Sequence, residues 1–158
     1  MYNAHGAAVR VLLVLLLLAA PVHAQEPVVR WADWASWGTA AANPTIAVVR
    51  AARSESPKCR LAQLALSEAV GNGATFAVKH LVASPRPCLG CAPDGMPSGH
   101  TANSAIGFSR HWQLGLAFTL GTAALRTDAN RHTKEQVFWG AVLGFTGEAA
   151  GHLLKCQH

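Results

Sequence analysis

The chain has 158 residues, 51% hydrophobic and 13% charged, with a formal net charge of +5. That length fits one domain, and the apolar content excludes a disordered chain and suffices for a core. No dense run of lysine and arginine occurs, which argues against a nucleic-acid partner; the modest excess suits an anionic substrate or lipid headgroups, or serves solubility alone.

Residues 1–24 read as a secretory signal peptide. Arg10 gives a basic start, Val11 to Ala20 is an apolar run, and Val22-His23-Ala24 ends in residues suited to cleavage. A single domain over 25–158 follows, with a net charge of +4 because only Arg10 is lost. The apolar run is shorter than the about 20 residues that span a bilayer, with an uncleaved anchor as the alternative. Export implies a periplasmic or secreted location.

Trp31, Trp34 and Trp37 recur at helical spacing and predict a stripe that faces the core, or alternatively a membrane interface. Asn43-Pro44 is expected to break the chain and start a short helix through Arg53. Leu61 to Val82 reads as the first long helix, in which Gly71 and Gly73 either admit a close neighbour or split the segment. Ser84-Pro85-Arg86-Pro87 ends it, and a Pro/Gly/Cys loop fills residues 87–98. Helices are then predicted over His100–Ser109, Gln113–Leu125 and Val137–Leu154, with a turn at Asp128-Ala129-Asn130. No alternating apolar run argues for strands, so the fold expected is all-α, a single bundle of about five helices. No segment reads cleanly as a membrane span, although one lipid-facing side and peripheral membrane contact stay open.

Four cysteines follow the signal, and an oxidising compartment favours disulfides. Of the three pairings the favoured one joins Cys88 to Cys91, stiffening the loop, and Cys59 to Cys156, tying the chain's end to an early helix. A zinc site from Cys88, Cys91, His152 and Cys156 is the alternative, which export disfavours.

Chemistry concentrates in three blocks: Lys79-x6-Arg86-Pro87, Pro97-Ser98-Gly99-His100 and Arg126-x5-His132. They hold three cations, a small hydroxyl beside a glycine, and two histidines. Positive charge and hydrogen-bond donors around the equatorial oxygens supply most of the catalysis of phosphoryl transfer. Arginine's planar fork suits two phosphate oxygens, and lysine acts as a point charge. Ser98 and Gly99 stand where a helix would start, with free N–H groups for an anion; a serine there is also an ordinary helix cap. Without the other blocks, Lys79 and Arg86 would read as solvated charges. His80, His111, His152 and His158 read as structural or exposed.

Taken as a set, the blocks resemble the type 2 phosphatidic acid phosphatase family, which takes in bacterial acid phosphatases and vanadium haloperoxidases. Its pattern is KxxxxxxRP, PSGH and SRxxxxxHxxxD. Here Lys79, Arg86 and Pro87 match the first block, and Pro97 to His100 match the second. The third matches at Arg126 and His132 only, with Leu125 at its serine and Gln136 at its aspartate. Val137 to Gly144 also looks like the family's small-residue helix, and the resemblance covers about residues 60–150. It implies a phosphatase acting on phosphomonoesters or lipid phosphates without a metal or other cofactor, with phosphate or vanadate able to occupy the pocket. Lys79, Arg86, Ser98, Gly99 and Arg126 would bind phosphate. His100 would protonate the leaving oxygen and His132 would be the nucleophile. Gln136 would support His132 through its amide oxygen, or only complete a capping box with Thr133. Glu135, one residue away, is turned about 100° from that position. A phosphate- or headgroup-binding module that lost turnover with the aspartate is the second reading. Vanadate-dependent halide oxidation is the third, disfavoured because a short chain leaves little material for a peroxide and halide site.

Overall fold

Five helices order the chain in a computed structural model that describes residues 26–88, 90–107 and 112–156. They are α1 (Glu26–Ala52), α2 (Pro57–Leu81), α3 (Gly99–Ser104), α4 (Trp112–Asp128) and α5 (Lys134–Gly151). Among the described residues there is no strand, only an isolated bridge between Ser84 and Asp94. The all-α bundle expected from the sequence is the architecture observed. Residues 1–24, expected from the sequence to be a signal peptide, and His111 and His158 lie outside the described residues.

Pro44 does not break the chain, contrary to the expectation at Asn43-Pro44. It sits inside α1, where its missing N–H leaves the Ala40 carbonyl without an intrahelical donor. The Asn103 side chain on α3 donates to that oxygen at 2.9 Å. Asn43 is buried beside it and donates to the carbonyls of Ser104 and Ile106. Side-chain bonds from α3 thus replace the backbone bond, and the helix continues.

The tryptophan stripe also turns out reversed. Trp31 and Trp34 are about three-quarters exposed, and Trp37 is 59% exposed. The inward face of α1 carries Ala32, Ser36, Ala40 and Asn43 instead. Helices in this bundle approach through small residues, which leaves the large aromatics outside.

Helix α2 opens with Pro57 in its first turn, where the lost N–H costs nothing, and runs unbroken through both glycines. A Cβ at Gly71 would sit 2.9 Å from Ile106 Cδ1, whereas Gly73 has open space. Gly71 therefore serves close approach and neither glycine splits the helix. The predicted helix from His100 to Ser109 is shorter than expected: α3 has six residues. Gly107, at φ 98°, turns the chain away and gives its N–H to Glu148 Oε2 at 2.7 Å. Helix α5 starts three residues before Val137 because Thr133 and Gln136 form a complete capping box.

Helix α2 packs on α5, α1 packs on α4, and short α3 touches all four. Gly140, Gly144, Gly147 and Gly151 form one buried stripe of α5 facing α3 and α2. Cys59 is bonded to Cys156 and Cys88 to Cys91, as favoured from the sequence. The alternative zinc set is not assembled, since Cys156 pairs with Cys59. No helix among the described residues is long and apolar enough to cross a membrane.

Candidate active site

The buried line of α2 runs Ser67, Gly71, Thr75 at intervals of four, and Lys79 is its next member. Packing therefore carries a lysine to the end of the α2–α5 contact, where its ammonium donates to the Asp94 carbonyl at 2.6 Å. Past the helix end, the Gly95 N–H donates to the Ser84 carbonyl at 2.7 Å and closes the intervening residues into a loop. That closure sets Arg86 beside Asp94, whose Oδ1 lies 3.0 Å from Nε and 2.9 Å from Nη2.

Helix α4 is buried at Gly115, Thr119, Thr122 and Arg126, a small-residue stripe ending in a guanidinium. The residue is only 4% exposed, and Asp33 on α1 meets its Nη1 at 2.5 Å. A buried charge requires such a partner. The chain then turns at Asn130, φ 53°, and the N–H groups of Arg131 and His132 both donate to the Arg126 carbonyl, at 3.0 and 3.2 Å. This turn fixes His132 relative to Arg126.

These segments meet at a cavity of about 410 Å³ lined by Lys79, Arg86, Gly99, His100, Arg126 and His132. A Cβ at Gly99 would reach Thr75 and Lys79 only at 3.9 and 4.0 Å, so the glycine keeps space open there without relieving a clash. Two residues expected at the phosphate or the nucleophile stand behind the lining. Ser98 is fully buried, its N–H donating to the Gln136 carbonyl and its hydroxyl accepting from Thr101. The α5 backbone holds it, with Gly140 against its carbonyl, so its hydroxyl is not presented to the cavity. Gln136 is buried behind His132, with Oε1 3.3 Å from the ring's Nδ1.

Sequence reasoning missed four lining residues: Asp33, Trp37, Asp94 and Arg131. Asp33 bridges two arginines, its Oδ2 lying 3.1 Å from Arg131. Trp37 meets His100 edge-on at 4.2 Å between ring centroids. A signal existed for both carboxylates: Asp33 is the only acid between Glu26 and Glu55, and Asp94 the only one between Glu68 and Asp128. A fifth residue, Gly95, was also missed; its carbonyl lies 2.8 Å from His132 Nδ1.

Four cations against two carboxylates leave a surplus of two positive charges around the cavity. Burial and then the neighbouring Arg126 push His100 down to about 4, outweighing the opposing effect of Asp33. His132 is likewise held at about 4, by burial and then by Arg126, Arg86 and Lys79. Lys79 is lowered too, mainly by burial. Both imidazoles are thus neutral at pH 7. His100 Nε2 and Arg126 Nε are buried without a hydrogen-bond partner among the described residues. No family model, curated protein or solved structure matches the chain.

Proposed function

We propose that this protein is an exported phosphatase of the type 2 phosphatidic acid phosphatase kind, hydrolysing phosphomonoesters or lipid phosphates through a phosphohistidine. The observation that carries this reading is the convergence of Lys79, Arg86, His100, Arg126 and His132, from three distant segments, on one cavity. A surplus of two positive charges matches a phosphate monoester dianion. The two cysteine pairs suit the oxidising compartment that export implies.

Lys79, Arg86 and Arg126 hold the equatorial oxygens and spread the charge of the transition state. Neutral His132 offers a lone pair for in-line attack; its bond to phosphorus forms as the ester P–O bond breaks. The leaving oxygen takes a proton from His100. An entering phosphate brings negative charge that opposes the arginines' effect on His100 and so favours its protonated form. Water then attacks the phosphohistidine, His100 accepts its proton, and inorganic phosphate leaves. Every charge in these steps is met by side chains of the chain itself. Exposed Trp31 and Trp34, on the helix that brings Trp37 to the cavity, support peripheral contact with a lipid surface and a lipid phosphate as substrate.

Purified full-length protein should release phosphate from p-nitrophenyl phosphate or from a short-chain phosphatidic acid, with vanadate as inhibitor. Vanadate binding without any phosphate release would make it a binding module instead. Halide oxidation on adding vanadate and peroxide would point to the haloperoxidase branch.

A further inference from the structure

The position behind His132 holds a neutral amide where the resembling family has an acid, and the hydrogen bonds around it define a different device. His132 Nδ1 has two neighbours, the Gly95 carbonyl at 2.8 Å and Gln136 Oε1 at 3.3 Å. Both are oxygens that can only accept, so Nδ1 carries the proton and Nε2 keeps its lone pair for the cavity. The shorter bond is the backbone one.

Gln136 Oε1 is already committed, because it accepts the Thr133 N–H at 3.0 Å in the capping box. Its amide nitrogen faces the opposite way and donates at 2.9 Å to both Ser84 Oγ and the Pro85 carbonyl. Those partners fix the amide's orientation: reversed, it would set a donor against the Thr133 N–H and an acceptor against the Pro85 carbonyl. Ser84 in turn accepts the Gly95 N–H through its own carbonyl. The connection therefore runs from Gln136 to Ser84 and Pro85, across to Gly95, and from the Gly95 carbonyl to the imidazole. Only a residue without a side chain fits at 95, since a Cβ there would lie 2.9 Å from both Gln136 Cδ and the Ser84 carbonyl.

We propose that Gln136 is a positioning residue that clamps the loop between Ser84 and Gly95, so that the Gly95 carbonyl, and no side-chain acid, fixes the tautomer and direction of His132. The assignment to nucleophilic attack rests on the phosphatase reading; the clamp and the tautomer do not. A carboxylate at 136 lacks the two donors the clamp needs. Gln136→Asp, which would restore the family's acid, therefore weakens the site. Gln136→Glu keeps an acceptor for the Thr133 N–H and separates helix capping from clamping.

The test combines long-range proton–nitrogen NMR of the His132 ring with turnover of p-nitrophenyl phosphate, on the full-length protein and its Gln136→Asp and Gln136→Glu variants. The wild type should show the Nδ1–H tautomer. Both variants should lose about 10- to 100-fold in kcat, with a smaller change in KM, as for other residues that orient a reactive imidazole through its neighbours. They should also show an altered or mixed His132 nitrogen signature. An Nε2–H tautomer in the wild type, a rise in kcat on Gln136→Asp, or unchanged kcat and ring signals in Gln136→Glu would each overturn the proposal. If the protein turns over no phosphate ester, the phosphatase reading fails, and the ring signals alone still decide the clamp.

Discussion

Arg126 Nη1 lies 2.5 Å from Asp33 Oδ1, joining residues 93 positions apart in the chain. The arginine is buried and the aspartate is about a quarter exposed, so the pair is shielded from water on one side only. Removing one partner of a buried pair leaves an uncompensated charge and costs about 3–5 kcal/mol. Asp33→Ala should lower stability by about 3 kcal/mol, at the low end of that range because of the exposed side. Urea unfolding at fixed pH reads this as a fall in midpoint with an unchanged slope.

Acid should destabilise the fold over a defined window. His100 and His132 sit near 4 in the folded chain against an ordinary imidazole value of about 6.5. Between those values the unfolded chain binds more protons, so stability is full above about 6.5 and falls as pH drops towards 4. A His100→Asn/His132→Asn variant should flatten that fall, measured as thermal midpoint against pH.

The Cys59–Cys156 bond closes a loop with a sequence separation of 97 residues. Long loops gain most from cross-linking, typically about 2–4 kcal/mol. Replacing both residues by serine should lower stability by that amount, while Cys88→Ser/Cys91→Ser, which opens a separation of 3 residues, costs less. Paired denaturation curves check the ordering.

Gly147 abuts the backbone of α2, where an added Cβ would lie 2.7 Å from both N and Cα of Gly71. Backbone atoms cannot rotate aside, so Gly147→Ala should cost about 1–3 kcal/mol by overpacking. Gly73→Ala, with open space around it, should be neutral or stabilising through helix propensity. The contrast in melting temperature between the two variants tests whether glycine contact holds α2 on α5.

Helix class and the main breaks were legible because they are local. Proline pairs, glycine turns and the recurrence of apolar residues act over a few positions. The break expected at Pro44 failed because its remedy, the Asn103 side chain, lies 59 residues further on. Helical spacing of Trp31 and Trp34 shows that they share a face, but not whether that face is turned inward. This bundle closes through Gly, Ala and Ser faces, which leaves no depth for an indole. At the cavity, Lys79, Arg86, Gly99, His100, Arg126 and His132 were readable by type and spacing, whereas Ser98 is buried behind the lining. Asp33 and Asp94 carried only the weak signal of isolation from other acids, and their pairing with Arg126, Arg131 and Arg86 is set by tertiary packing. Gln136 could be read as a cap or as a support for His132. In the fold it makes the cap, a contact to the ring and two further bonds to the loop.

A phosphohistidine is lost in acid, so the phosphohistidine mechanism is tested most directly by rapid mixing with p-nitrophenyl phosphate, alkaline quench and mass spectrometry of the peptides. A phosphoryl group is expected on His132 and lost in His132→Ala; with p-nitrophenyl phosphate, whose leaving group needs no proton, it should accumulate in His100→Ala, which lacks the base for hydrolysis of the intermediate. Turnover with phosphate trapped on any other residue, or undiminished turnover by His132→Ala, would contradict it.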